Sequence, residues 1–172
     1  LGVQRLVEGK HVLNVGCGPT VKAEHAEHDA STAASYTGIE LSLPFLESVR
    51  KENPHAPFFF AQASINAIPF PDKSFDTTVV SFVIHHVPGD PARVIEELVR
   101  VTRRHLVIYD HLRSENALVS LIQSAYWRTF DGGCNYMTRD QWLRALGSLR
   151  QVRETRHGPF GQVLRMILEI PD

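Results

Sequence analysis

The chain has 172 residues, enough for one substantial core and too few for two, so residues 1–172 are expected to form a single domain. With 43% hydrophobic and 22% charged residues its composition is ordinary for a water-soluble protein. A formal net charge of -1 provides no bulk field to attract nucleic acid or an anionic membrane surface. Cys17 and Cys134 lie far apart in the chain, and one possible disulfide is a weak signal in a chain of this size, so a reducing, cytoplasmic setting is the simpler expectation. No apolar run approaches the roughly 20 residues of a membrane span, and no charged-then-apolar leader opens the chain. The first residue is Leu1 rather than Met, which leads us to expect further sequence before it.

Short β-rich runs alternate with helical patterns, which predicts an α/β protein with a parallel sheet. His11-Val12-Leu13-Asn14-Val15 reads as the first strand, ending at Gly16. Ala23, Ala26, Ala30 and Ala33 then fall at helical spacing and offer a small-residue face to a sheet. Tyr36 to Ile39 is a second strand ending at Glu40, followed by a helix around Phe45 to Lys51 with Ser42 as N-cap. Phe58 to Ala61 is a third strand. Thr77 to Phe82 is a fourth, apolar nearly throughout, as a strand buried on both faces should be.

The next helix begins with Asp90 as N-cap and Pro91 at its first position. Val94, Leu98 and Val101 form its buried stripe, with Arg93/Glu97 and Glu96/Arg100 as i,i+4 pairs on the wet side. Leu106 to Tyr109 is the fifth strand. The stretch 112–137 is helical, then irregular and aromatic. Thr138 and Gln141 form a capping box for a short helix through Trp142 and Leu146 that stops near Gly147. Val152 to Arg156 and Val163 to Ile170 read as closing strands. Their connection is too short for a parallel crossover, so they should pair antiparallel.

Chemistry concentrates after the first strand. Gly16-Cys17-Gly18 at the end of a strand lets backbone approach a ligand closely, since neither glycine carries a Cβ. The position of the third glycine in a dinucleotide fingerprint is Val21, which argues against a nicotinamide cofactor. Glu40 lies at the spacing of a carboxylate that binds a ribose diol. Cys17, between the two glycines, invites a nucleophile reading. His25-x-x-His28 lies one helical turn apart, but no further ligand completes a tetrahedral set, so no metal is expected.

The segments VLNVGCGPT, YTGIELS, AQASINAIPFPDKSFDTTVVSFVIHHV and ELVRVTRRHLVIYD, in this order, resemble the class I S-adenosylmethionine-dependent methyltransferases of the type-11 group. That group is similar to the ubiquinone- and menaquinone-biosynthesis methyltransferases. The resemblance covers about residues 11–111, with Ile68-Pro69-Phe70-Pro71-Asp72-Lys73-Ser74-Phe75-Asp76 its most diagnostic part. It implies a Rossmann-like sheet of seven strands, mostly parallel with an antiparallel C-terminal pair, and helices on both faces. It implies S-adenosyl-L-methionine as cofactor and a small-molecule methyl acceptor as partner.

By the same resemblance, Gly16 and Gly18 line the methionyl part, Glu40 takes both ribose hydroxyls, and Ser64 with Ile65 flanks the adenine. Ser81 and Phe82 lie under the sulfonium, and Asn14, Cys17 and Leu41 complete the lining. Against a nucleophile's role for Cys17 stands the group's small residue at this place, which packs between the two glycines. The chain departs from the group in carrying Asn14 and Ser64 where Asp is usual, and Thr102-Arg103-Arg104 for a Pro-Gly-Gly turn. A lost charge-assisted bond weakens cofactor binding by about 1–2 kcal/mol. A base is needed only for a protonated acceptor, and His85, His86 and His111, near strand ends, are the candidates. The segment 112–137 is expected to cover the substrate, with Tyr126, Trp127, Phe130 and Tyr136 as candidate pocket residues or plain core. The rival readings are a catalytically silent cofactor- or partner-binding module of the same fold, and an NAD-linked oxidoreductase.

Overall fold

Strands covered on both faces must be apolar at nearly every position, and the sequence is so at Val12-Leu13, Val79-Val80 and Leu106-Val107-Ile108, all at most 1% exposed. The computed structural model describes residues 2–19, 30–54, 57–157 and 162–171. Its elements are α1 (Gln4–Val7), β1 (His11–Val15), β2 (Ser35–Glu40), α2 (Leu43–Glu52), β3 (Phe58–Gln62), β4 (Phe75–Ser81), α3 (Pro91–Val101), β5 (Thr102–His111), α4 (Ala117–Phe130), α5 (Arg139–Leu146), β6 (Arg150–His157) and β7 (Val163–Glu169). Single 3-10 turns lie at Ala30–Thr32 and Ile84–His86.

The seven strands form one sheet in the order β3-β2-β1-β4-β5-β7-β6. Strands β1 to β5 pair in parallel, while β7 runs antiparallel to both β5 and β6. This is the Rossmann-like sheet with an antiparallel C-terminal pair that the strand pattern and the resemblance predicted. Alternate residues feed two cores. Val12, Val79, Val107 and Ile167 pack on one side with Leu6, Leu46 and Val49 of the short helices. Leu13, Val80, Ile108 and Met166 pack on the other with Leu98 of α3 and Trp142 of α5. Among the described residues, no helix is long and apolar enough to cross a membrane.

Local signals hold where they were strongest. Asp90 caps α3 by accepting from Ala92 N (3.0 Å), and Thr138 and Gln141 close the capping box of α5. The charge pairs of α3 differ from the predicted i,i+4 scheme. Arg100 bonds Glu97 and Asp72, and it donates to the main-chain oxygens of Phe70 (2.8 Å) and Ile68 (2.9 Å). Glu97 in turn accepts from Ile68 N (2.7 Å). The pair therefore clamps the loop through Ile68-Pro69-Phe70-Pro71-Asp72 to α3, which accounts for the order of a segment with two prolines. Ala23, Ala26, Val21, His25 and His28 lie outside the described residues, as do residues 158–161 between β6 and β7.

Gly38, in the middle of β2, is forced by packing. A Cβ there would lie 2.8 Å from a ring carbon of Phe60 and 3.0 Å from the sulfur of Cys17. Gly38→Ala is expected to destabilise the fold by about 1–3 kcal/mol through overpacking. Phe60→Leu in the same chain should recover part of that loss. Urea melts of the two single variants and the double variant read the coupling directly, and strict additivity would mean that the ring is not the obstacle.

Candidate functional site

In a parallel sheet the ligand crevice opens at the C-terminal strand ends, where the strand order reverses, here between β1 and β4. A cavity of about 430 Å³ lies there, lined by Gly16 and Gly18 after β1, Glu40 and Leu41 at the end of β2, Ala63 to Asn66 after β3, and Ser81 to Val83 at the end of β4 with His86 beyond. A larger groove of about 590 Å³ is lined by Asp90, Arg113, Arg128, Cys134, Asn135 and Arg144, and includes none of these strand ends.

The turn after β1 is built from left-handed backbone, with φ of +67° at Gly16 and +65° at Gly18. A Cβ on Gly16 would lie 2.3 Å from the side chain of Val83, so the turn after β1 packs against the segment after β4 only because Gly16 has no side chain. A Cβ on Gly18 would meet nothing within 4 Å. That open space in front of Gly18 is part of the cavity. Glu40 closes the turn: its carboxylate accepts from Gly18 N (3.0 Å) and from Ser42 N (2.8 Å). Phe82 holds the left-handed conformation (φ +56°), uncommon for an aromatic residue, with its N–H bonded to Tyr109 O at 2.9 Å. Ser64 accepts from Asn66 N (3.2 Å) and Ile65 is 8% exposed beside it.

Beside the cavity lies a dense group of histidines. His85, 1% exposed, donates from Nδ1 to Asp110 Oδ1 at 2.5 Å. Asp110, also 1% exposed, accepts from the main-chain N–H groups of His85 (3.3 Å) and His111 (2.7 Å) as well. On the other edge of the ring, His85 Nε2 lies 2.9 Å from Asp131 Oδ2 but in no hydrogen-bonding geometry. His86 Nε2 and His111 Nε2 each lie 3.7 Å from the same carboxylate. Tyr136 OH donates to Asp131 Oδ2 (2.7 Å) and accepts from Gly133 N (2.9 Å). Trp127 and Tyr136 wall the group, with ring centres 4.6 Å and 5.6 Å from that of His111.

Charge is distributed unevenly over the three imidazoles. Burial, the largest influence on His85, lowers its pKa, but the bond to Asp110 and the charges of Asp110 and Asp131 outweigh it and hold the pKa above the usual value. His86 and His111 are lowered by burial and then by the charge of His85. Asp131 is raised by burial, yet its bond from Tyr136 and the histidine charges bring it below the usual carboxylate range. Burial pushes the Cys17 thiol up to about 12, with Glu40 adding to the shift, which fits a packing residue.

The structure thus brings together, around one cavity, Gly16, Gly18, Glu40, Leu41, Ser64, Ile65, Ser81 and Phe82 of the predicted cofactor residues, with His86. Asn14 is not among the lining: it is 8% exposed and its Nδ2 donates to Tyr36 OH at 2.7 Å. Cys17 points into the core with Val12 and Phe60. The aromatic candidates divide, Trp127 and Tyr136 being buried against the histidines while Tyr126 and Phe130 are 59% and 75% exposed. Asp131, on which three histidines converge, was not singled out in the sequence. An aspartate before Gly132-Gly133 reads there as an ordinary helix end.

Comparison with known proteins agrees with this geometry. The methyltransferase domain family matches residues 13–108. A fatty-acid O-methyltransferase of Mycolicibacterium smegmatis is 37% identical over 73 residues, 42% of this chain and 26% of the relative. A phosphatidylethanolamine N-methyltransferase of Cereibacter sphaeroides is 29% identical over 126 residues, 70% of this chain and 60% of the relative. The chain therefore spans less than two thirds of the length of these curated relatives. Among solved structures, a putative methyltransferase of Bacillus halodurans superposes with a TM-score of 0.82 at 15% identity, covering 99% of this chain and 96% of that one. The magnesium protoporphyrin IX methyltransferase of Synechocystis, solved with bound S-adenosylhomocysteine, superposes with a TM-score of 0.70 at 15% identity, covering 95% and 75%. With its fold and more than half of its length matched, the chain belongs to the class I S-adenosylmethionine-dependent methyltransferases of the type-11 group.

Proposed function

We propose that this chain transfers a methyl group from S-adenosylmethionine to a small-molecule acceptor that approaches past Phe82 and His86. The observation that carries the reading is the joint lining of one cavity by the Gly16–Gly18 turn, Glu40, Ser64, Ile65 and Phe82. When bound, the cofactor supplies a methyl group already activated on a sulfonium. The protein's own tasks are then alignment and exclusion of water. The open space before Gly18 accommodates the amino-acid end, and Glu40 takes the ribose hydroxyls. Each carboxylate oxygen holds one N–H already and retains a lone pair for a hydroxyl. Ser64 and Ile65 flank the base. Of the three candidate histidines only His86 lines the cavity, so it is the one placed to receive a proton from a protonated acceptor.

The acceptor we infer carries an apolar body. Two relatives are named for fatty-acid and phospholipid substrates. The stretch 112–137 fits a substrate cover: α4 leaves Leu118, Leu121, Ile122, Tyr126 and Phe130 exposed, on the helix whose Trp127 walls the histidines.

Two outcomes test the reading. S-adenosylhomocysteine should bind while NAD does not, and calorimetry that finds NAD bound and S-adenosylhomocysteine unbound at millimolar concentration would remove the assignment. Glu40→Gln should weaken S-adenosylhomocysteine by about tenfold, near 1.5 kcal/mol for one charge-assisted bond, and Glu40→Ala by more. Because Glu40 accepts from two main-chain donors, the Ala variant should also lose about 1 kcal/mol of folding stability. A cofactor titration paired with a denaturant melt separates the two effects, and full affinity in a folded Glu40→Ala would place the nucleoside elsewhere.

A further inference from the structure

Among the described residues, two buried polar atoms without a hydrogen-bond partner, His85 Nε2 and His111 Nδ1, lie in the histidine group beside the cavity. The donor atoms of His85, His86 and Asp131 lie within 4.8 Å of one another. His85 is 1% exposed, and its Nε2, which lies against this carboxylate, is buried without a hydrogen-bond partner. Asp131 lies 2.9 Å from His85 Nε2 and 3.7 Å from both His86 Nε2 and His111 Nε2. These spacings bracket the about 3.3 Å that separates donors on a tetrahedral ion with bonds near 2.0–2.1 Å. Three imidazole Nε2 atoms facing one carboxylate oxygen pair is an arrangement that hydrogen bonding alone does not require.

We propose that this group is a binding site for one divalent transition-metal ion of borderline hardness, such as zinc, with His85, His86 and Asp131 as ligands and a fourth position open to solvent or acceptor. The donor set of imidazoles and one carboxylate, with no thiolate, selects zinc, cobalt or nickel over magnesium or calcium. The surroundings are those of a metal ligand as well. Asp110 takes the Nδ1–H of His85 and fixes its Nε2 toward the site, and Tyr136 fixes Asp131. Binding replaces a proton on His85 Nε2 by the metal and releases that proton to solvent, while the Nδ1–H bond to Asp110 stays. Because His86 also lines the methyl-transfer cavity, an ion here would bind a hydroxyl or amine of the acceptor and labilise its proton, taking over the part that His86 plays in the metal-free chain. The inference can fail without touching the methyltransferase reading, because it is measured on the metal and not on activity.

The experiment uses the untagged chain, stripped with chelator and titrated with cobalt(II) while its visible absorption is recorded, then with zinc(II) in competition. We expect one equivalent of cobalt per chain with micromolar affinity, the bands of a four- or five-coordinate ion, and displacement by zinc. His86→Ala and Asp131→Asn, both at partly exposed positions, should each lower affinity at least tenfold, and Asp110→Asn by about 10–100-fold through His85. His28→Ala should leave it unchanged. A thermal melt of each variant confirms that the fold is kept, and S-adenosylhomocysteine binding by the same proteins reports on the cofactor site separately. Absence of saturable cobalt binding at micromolar metal, or binding that both His86→Ala and Asp131→Asn leave intact, would overturn the proposal.

Discussion

Everything at the crevice depends on the chain turning at Gly16 within van der Waals reach of Val83. The two strands that flank the reversal point, β1 and β4, lie side by side, so the segments that leave them compete for the same space. A side chain at residue 16 would sit 2.3 Å from Val83 and push the turn off the sheet edge. Without it, the turn drops onto the end of β2, where Gly16 N and Cys17 N both donate to Ile39 O at 2.8 and 3.0 Å. Cys17 then fills the space that Gly38 leaves open above Phe60. Two glycines on adjacent strands thus interlock through one small residue, and the cavity is the volume that the turn encloses when so seated.

Glu40 belongs to this same construction, besides the ligand role proposed for it. A carboxylate facing two main-chain N–H groups is fixed in direction before any ligand arrives, so little ordering entropy remains to be lost on binding. The same bonds tie the turn after β1 to the start of α2. Local geometry at Phe82 has a similar character. An aromatic residue in left-handed backbone is costly, of order 1–3 kcal/mol, and here it directs the ring between the cavity and His111.

Elements with a local cause were legible in the sequence, and contacts with a purely tertiary cause were not. The ends of β1, the Asp90 and Thr138 caps and the antiparallel closing pair each rest on a few neighbouring residues, and all four appear as expected. The pairing of Arg100 differs because a helix wheel cannot see the loop at 68–72 that lies across it. Gly16, Gly18 and Glu40 were legible because one motif places all three at neighbouring strand ends. Asp131 was illegible for the opposite reason. It is 20 residues or more from every histidine it faces, and only the path of α4 back over the sheet edge brings it to His85.

That contrast bears on how the departures from the family pattern act. The resemblance led to an expectation that Asn14, where Asp is usual, weakens cofactor binding by removing a charge. In the folded chain Asn14 donates to Tyr36 OH, beneath the crevice and not on its lining. A carboxylate at this depth, where Asn14 is 8% exposed, would need desolvation. The amide avoids that cost and satisfies Tyr36 at the same time. Ser64 is the departure that lines the cavity, where in the proposed reading its hydroxyl would offer both a donor and lone pairs to a heterocycle edge. Among the described residues that line the cavity, Glu40 is then the one carboxylate, and the ring of Phe82 lies on the same lining, so in the proposed reading a cationic cofactor centre would meet an aromatic ring and main-chain dipoles there and not a second described carboxylate.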